Sequence, residues 1–92
     1  MFWNKKPQVS AVVPEPTWDR DDFQSFGSNV YQFPAARHLR DHRGGTVKTE
    51  SFPVILARFL EANPGLEVSA MVAKDSGGYT YHYTVVMKAA RP

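Results

Sequence analysis

The sequence predicts an α+β fold, a small and mainly antiparallel sheet with one principal helix packed on one face. Three observations predict it. Apolar residues recur at helical spacing from Phe52 to Leu60, Asn63-Pro64-Gly65 interrupts the run, and two alternating segments follow on either side of Asp75-Ser76-Gly77-Gly78. A period of 3.6 that gives way to a period of 2 across a breaker marks a helix followed by a β-hairpin. This C-terminal helix–hairpin unit spans 51–88 within a single domain of 92 residues.

The helix begins at Ser51, whose hydroxyl suits the N-cap. Pro53 sits in the first turn, where a missing N–H costs nothing. Phe52, Ile55, Leu56, Phe59 and Leu60 form the apolar stripe, and Arg58 and Glu61 fall on the other side, three apart and able to pair weakly. The helix ends at Asn63, because the residue before a proline is pushed out of the α region.

In the hairpin, Leu66, Val68, Ala70 and Val72 alternate with Glu67, Ser69 and Met71, and Tyr79, Tyr81, Tyr83, Val85 and Met87 alternate with Thr80, His82, Thr84 and Val86. An even-length turn sets Val72 opposite Tyr81, Ala70 opposite Tyr83, Val68 opposite Val85 and Leu66 opposite Met87. An odd turn would set apolar residues against Thr80, His82 and Thr84. The expected register is the even one. An eleven-residue helix spans roughly 16 Å, whereas a nine-residue strand spans roughly 30 Å. The helix therefore covers the base of the hairpin and leaves Val72, Tyr79 and Tyr81 to another cover.

The N-terminal half is broken by prolines and glycines. Met1–Pro7 reads as a flexible N-terminus and Gln8–Val13 as a short strand closed by Pro14. Thr17 to Phe26 reads as a short helix with Asp19, Asp21 and Asp22 at its start and Trp18, Phe23 and Phe26 on its buried side. Asn29–Phe33 reads as a strand, Ala35–Arg43 as a second short helix stopped by Gly44-Gly45, and Thr46–Thr49 as extended.

Composition narrows the function. A hydrophobic content of 42% with 22% charged residues is that of an ordinary globular chain. There is no cysteine, hence no thiol nucleophile and no Cys-based zinc site. No apolar run is long enough for a membrane, and no hydrophobic region follows Lys5-Lys6 as a signal peptide needs. These features point to the cytoplasm. A net charge of +2 does not by itself argue for nucleic acid.

Three clusters compete for a chemical role. Arg37, His38, Arg40, His42 and Arg43 form the one basic cluster. On a helix the three arginines share a side and, with Gly44-Gly45, suit an anion. A solvated face partnered by Asp41 explains the same residues more economically. His38 and His42 are spaced for a metal, but Leu39 stands where a metalloprotease helix carries glutamate. Asp19, Asp21 and Asp22 lack the glycine of a calcium loop and read as helix-start carboxylates. Tyr79, Tyr81 and Tyr83 line one face of one strand, either as a stacking platform for bases or as an aromatic protein interface.

No phosphate-binding loop, nucleophile elbow or dinucleotide glycine pattern occurs. The expectation is a small non-enzymatic binding or regulatory protein without cofactor or metal, acting through a protein partner or self-association. Small, cysteine-free single domains without catalytic motifs are frequent among phage products, which makes a phage origin part of that expectation. The alternative is a nucleotide or nucleic-acid binding module that uses Tyr79 and Tyr81 with Arg37, Arg40, Arg43 and His38.

Overall fold

The computed structural model describes residues 12–91, which form two antiparallel sheets and one helix. In chain order the elements are β1 (Thr17–Trp18), β2 (Gln24–Gly27), β3 (Val30–Pro34), β4 (Ala36–Arg40), β5 (Thr46–Ser51), α1 (Phe52–Ala62), β6 (Leu66–Ser76) and β7 (Tyr79–Ala89). The larger sheet has the order β2-β3-β7-β6 and the smaller one β1-β4-β5. The α+β class and the antiparallel pairing are as expected, but the chain is mostly strand and its sheet is divided in two.

The division falls at Ala35. Pro34 makes the last pair of β3, with His82, and Ala36 makes the first pair of β4, with Ser51. One extended stretch thus serves both sheets in succession. Ala35 N–H donates to the Tyr81 carbonyl at 3.0 Å, and the Ala35 carbonyl accepts from Phe52 N–H at 2.8 Å. The second bond satisfies one of the free amides at the start of α1. Ser51 does occupy the N-cap, but its side chain makes no capping bond.

The apolar stripe of α1 behaves as its spacing dictates. Phe52, Ile55 and Phe59 are buried against Phe33, Val85 and Met87, with Leu56, Leu60, Leu66, Val68, Tyr31 and Tyr83 around them. Phe59 meets the rings of Phe23, Tyr31 and Phe33 at centroid distances of 4.9, 4.9 and 5.4 Å. Asn63 ends the helix: its side-chain amide donates to the Phe59 carbonyl at 2.9 Å. Its carbonyl accepts from Leu66 N–H at 3.0 Å as β6 begins.

Two expected helices are absent, for one physical reason. The segments 17–26 and 35–43 are short, and short segments take the structure their long-range partners offer. Thr17 and Trp18 pair with Arg40 and Leu39, and 36–40 pairs with 46–51. Arg37 and Leu39 then share a face with Glu50 and Lys48, while His38 lies opposite Thr49 on the other. The expected strands at 29–33 and 46–49 are present as β3 and β5. Val12 and Val13 are irregular, and the rest of the strand expected over 8–13, like the segment 1–7, lies outside the described residues.

Candidate functional site

The projecting hairpin is where the chain leaves the most surface unexplained. Its strands have eleven residues each, so each spans roughly 36 Å at about 3.3 Å per residue. The two-residue turn Gly77-Gly78 has φ of +61° and +85° at its two positions, which glycine adopts without strain and which matches the twist of a hairpin. The even-length turn is as expected, yet the register beyond it is not.

Two bulges displace that register. Asp75 pairs with Thr80 and Lys74 with His82, which leaves Tyr81 as an extra residue of β7. Ala70 pairs with Val86 and Val68 with Met87, which leaves Ser69 as an extra residue of β6. Residues directly opposed in an antiparallel pair share a face, and one extra residue exchanges the faces beyond it. Val68 therefore shares the helix-covered face with Met87, whereas Ala70 and Val72 lie on the reverse with Val86 and Thr84. The expected pairs of Val72 with Tyr81 and Ala70 with Tyr83 do not form. Nor do the tyrosines share a face. Tyr83 opposes Ala73, and Tyr79 opposes Ser76, on the other side of the sheet.

The length mismatch between helix and strands has the expected consequence. Met71, Val72, Tyr79 and Tyr81 are 49%, 65%, 72% and 51% exposed, and these fractions decide that the described chain supplies no cover for them. Phe23 packs on Tyr31, Phe33 and Phe59, Phe26 is exposed, and Trp18 lies over Arg37, so none of these rings reaches the hairpin tip. Tyr83 is held in the core by a stack on Phe52. Along β6, every residue from Ser69 to Ser76 is exposed, and its outer edge has no partner strand among the described residues.

A polar depression of about 530 Å³ lies beside the hairpin, lined by Arg20, Asp21, Gln24, Gln32, Pro34, Tyr81 and His82. Gln24 and Gln32 are directly opposed, and Pro34 opposes His82, so its floor is the reverse face of the larger sheet. Sequence reasoning missed Arg20, Gln24 and Gln32. No local signal marks them, because β2 and β7 meet at this depression only through β3 between them.

The basic cluster is taken apart. Arg37 is buried, its Nε and Nη2 each 3.0 Å from Glu50 Oε1 and its guanidinium 4.0 Å from the centre of the Trp18 ring. Arg58 of α1 also reaches Glu50 Oε1, at 2.8 Å, and Asp22 Oδ2, at 3.0 Å, rather than pairing with Glu61. Arg40 lies 3.5 Å from Asp19 Oδ2. His38 Nδ1 is 2.8 Å from Thr49 Oγ1. Arg43 stands in the β4–β5 turn. Arg37, Arg40 and Arg43 are therefore not one helix side, and the first two are engaged with carboxylates.

Two carboxylates of this region titrate low. His38 N–H donates to Asp19 Oδ1 at 2.9 Å, and this bond, foremost, holds the Asp19 carboxyl below its usual range; Arg20 and Arg40 act in the same direction. Asp41 is lowered chiefly by the Gly45 N–H and then by the Arg43 N–H, each 2.9 Å from Oδ1. These bonds assign Asp19 and Asp41 to shaping loops. Asp22 is tied to Arg58, and no cluster of His, Asp and Glu suited to a metal occurs among the described residues. No helix of the described chain is long and apolar enough to cross a membrane. No protein-family model, no curated protein and no solved structure matches this chain.

Proposed function

We propose that this is a non-enzymatic binding protein that acts by protein contact through the distal half of its β6–β7 hairpin. One observation carries the reading: an eleven-residue edge strand bears exposed Met71 and Val72 beside exposed Tyr79 and Tyr81, with nothing of the described chain laid over them. An exposed edge strand is a template for added strands. Although Ser69 bulges β6 near its base, the run from Ala70 to Ser76 beyond it carries no bulge. Tyrosine adds large contact area at small entropic cost, with a hydroxyl that tolerates the rim of an interface.

The test is a photo-cross-linking amino acid at Tyr81, compared with one at the exposed Glu61 of α1, in the cells that make the protein. The reading requires a discrete adduct from Tyr81, either with the chain itself or with one other protein. Adducts no stronger than those from Glu61 would refute it.

A second reading, a nucleotide-binding module, draws on the polar depression. Tyr81 and Arg20 both line it, with two side-chain amides that can address a base edge. The cation of that reading becomes Arg20 in place of Arg37 and Arg40, which Glu50 and Asp19 engage. Titration of ATP into the wild type and Arg20→Ala at low salt tests it, and heats equal to those of buffer alone would remove it.

A further inference from the structure

We propose that two copies of this chain pair edge to edge through β6, antiparallel, about a two-fold axis passing through Val72. The inference rests on the protein-contact reading and names the partner as a second copy.

The symmetry of an antiparallel strand pair restricts the choices. A two-fold axis that relates adjacent antiparallel strands stands perpendicular to the sheet, so each face of one copy continues into the same face of the other. Opposed residues must then come from one face, which requires the axis to pass through a residue. Beyond the Ser69 bulge the faces are settled by the pairing with β7: Ala70, Val72 and Lys74 on the reverse, Met71, Ala73 and Asp75 on the side of Tyr83 and Val85.

The Ser69 bulge excludes an axis through Ala70, which would oppose Val68 and Val72 from different faces, and charge then selects among the rest. An axis through Lys74 or Asp75 sets like charges directly opposite each other, and one through Met71 sets Glu67 opposite Asp75 on both sides. Like charges so placed are destabilising. An axis through Ala73 puts the Asp75 carboxylate against Met71. An axis through Val72 puts Val72 against Val72, Met71 against Ala73, Ala70 against Lys74 and Ser69 against Asp75. No charge faces its like. The exposed apolar run 70–73 lies at the centre and the charged residues at its ends, where the lysine stem covers Ala70 and its ammonium reaches water.

The product is closed. Pairing uses up the long edge of each copy and leaves the strand order β2-β3-β7-β6-β6-β7-β3-β2, with both copies of α1 on one side. The remaining edge of the larger sheet, β2, has four residues and a bulge at Phe26 that end it as a template.

The chain contains no cysteine, so engineered thiols report the register without interference. Opposed residues in an antiparallel ladder have Cα atoms about 4.5 or 5.5 Å apart, within the about 4.4–6.8 Å that a disulfide spans. Under mild oxidation Val72→Cys should cross-link to itself. Ala70→Cys alone and Lys74→Cys alone should remain single chains, and a mixture of those two should cross-link. Sedimentation of the wild type should give twice the 10.4 kDa chain mass. Val72→Lys, which sets two ammonium groups on the axis, should give the single-chain mass. A wild type that stays monomeric at every concentration overturns the proposal, as does self-cross-linking of Ala70→Cys that matches Val72→Cys. If Tyr81 cross-links to another protein while the wild type stays monomeric, protein contact stands and this pairing is discarded.

Discussion

The ring of Phe52 lies stacked on that of Tyr83, with centroids 3.9 Å apart and planes 14° from parallel. Phe52 is the first residue of α1, and its N–H is bonded to Ala35 at the seam between the two sheets. The stack therefore fastens helix, seam and hairpin at one point, and it marks where the covered part of β7 ends. Tyr83 is packed inward, and Tyr81, two residues earlier and nearer the turn, is half exposed.

Phe52→Ala should accordingly lower the unfolding free energy by about 3–5 kcal/mol, as large-to-small changes in a core do. Tyr81→Ser should change it by no more than about 0.5 kcal/mol, as exposed substitutions do. Urea melts of both variants measure the contrast. Equal losses would contradict the placement of Tyr81 beyond the core.

The carboxylate of Glu50 is buried and shared by Arg37 and Arg58. Removing one partner of a buried pair leaves an uncompensated charge, at a cost of about 3–5 kcal/mol. Glu50→Ala strands Arg37 in this way. Arg58→Ala leaves Glu50 with Arg37, and its other contact, with Asp22, is open to water. Its cost should stay near the about 0–1 kcal/mol of exposed pairs. Denaturant melts in which Arg58→Ala cost as much as Glu50→Ala would show that Arg37 alone does not compensate the Glu50 charge.

How far the sequence could be read follows from which forces are local. Helix α1 and the Gly77-Gly78 hairpin were legible because their signals lie within a few residues: the stripe from Phe52 to Leu60, Pro53, Asn63-Pro64, and paired glycines. The bulges at Ser69 and Tyr81 were not, since a displaced register is decided by pairing across strands and leaves no mark in the alternation of either strand alone. Arg37-His38-Leu39-Arg40 misled in the other direction. Its arginines recur at helical steps, but the partner that decides its conformation, Glu50, stands thirteen residues on. Exposure of Val72, Tyr79 and Tyr81 was legible from element lengths alone. The depression around Arg20, Gln24 and Gln32 was illegible because it assembles from β2, β3 and β7, which only tertiary pairing brings together.

The β4–β5 turn predicts a pH dependence. Asp41 N–H donates to the Gly45 carbonyl and Gly44 N–H to the Asp41 carbonyl, both at 2.9 Å, with Gly44 at φ +82°. The Asp41 carboxylate completes the turn by accepting from Arg43 and Gly45. Its pKa in the folded chain lies below the usual 3.8. The unfolded chain thus binds this proton more readily, so the carboxylate's contribution is present above pH 3.8 and is lost as pH falls through the lower, folded value. Asp41→Asn should narrow the stability difference between pH 6 and pH 3 in thermal melts. A pH profile unchanged by the substitution would mean that the turn does not draw on the charge.

The displaced register of the hairpin yields the sharpest check on the surface assigned to binding. With the extra residues in place, Val72 opposes Thr84 on the reverse face, and Met71, opposite Val85, points to the other side. A hairpin running straight from the Gly77-Gly78 turn would instead oppose Met71 and Thr84. The two arrangements differ by one residue and exchange which of Met71 and Val72 faces the helix side. Paired cysteines at 72 and 84 should therefore close an intrachain disulfide under mild oxidation in dilute solution, since directly opposed Cα atoms lie within its reach. Cysteines at 71 and 84 project from opposite faces and should stay reduced, which mass spectrometry after thiol alkylation distinguishes directly. Closure of the 71–84 pair, with 72–84 left open, would remove the bulge at Tyr81 as the source of the shift. The Val72 axis does not hang on that outcome, because Ala70, Val72 and Lys74 alternate along an unbulged stretch of β6 and share a face in either register.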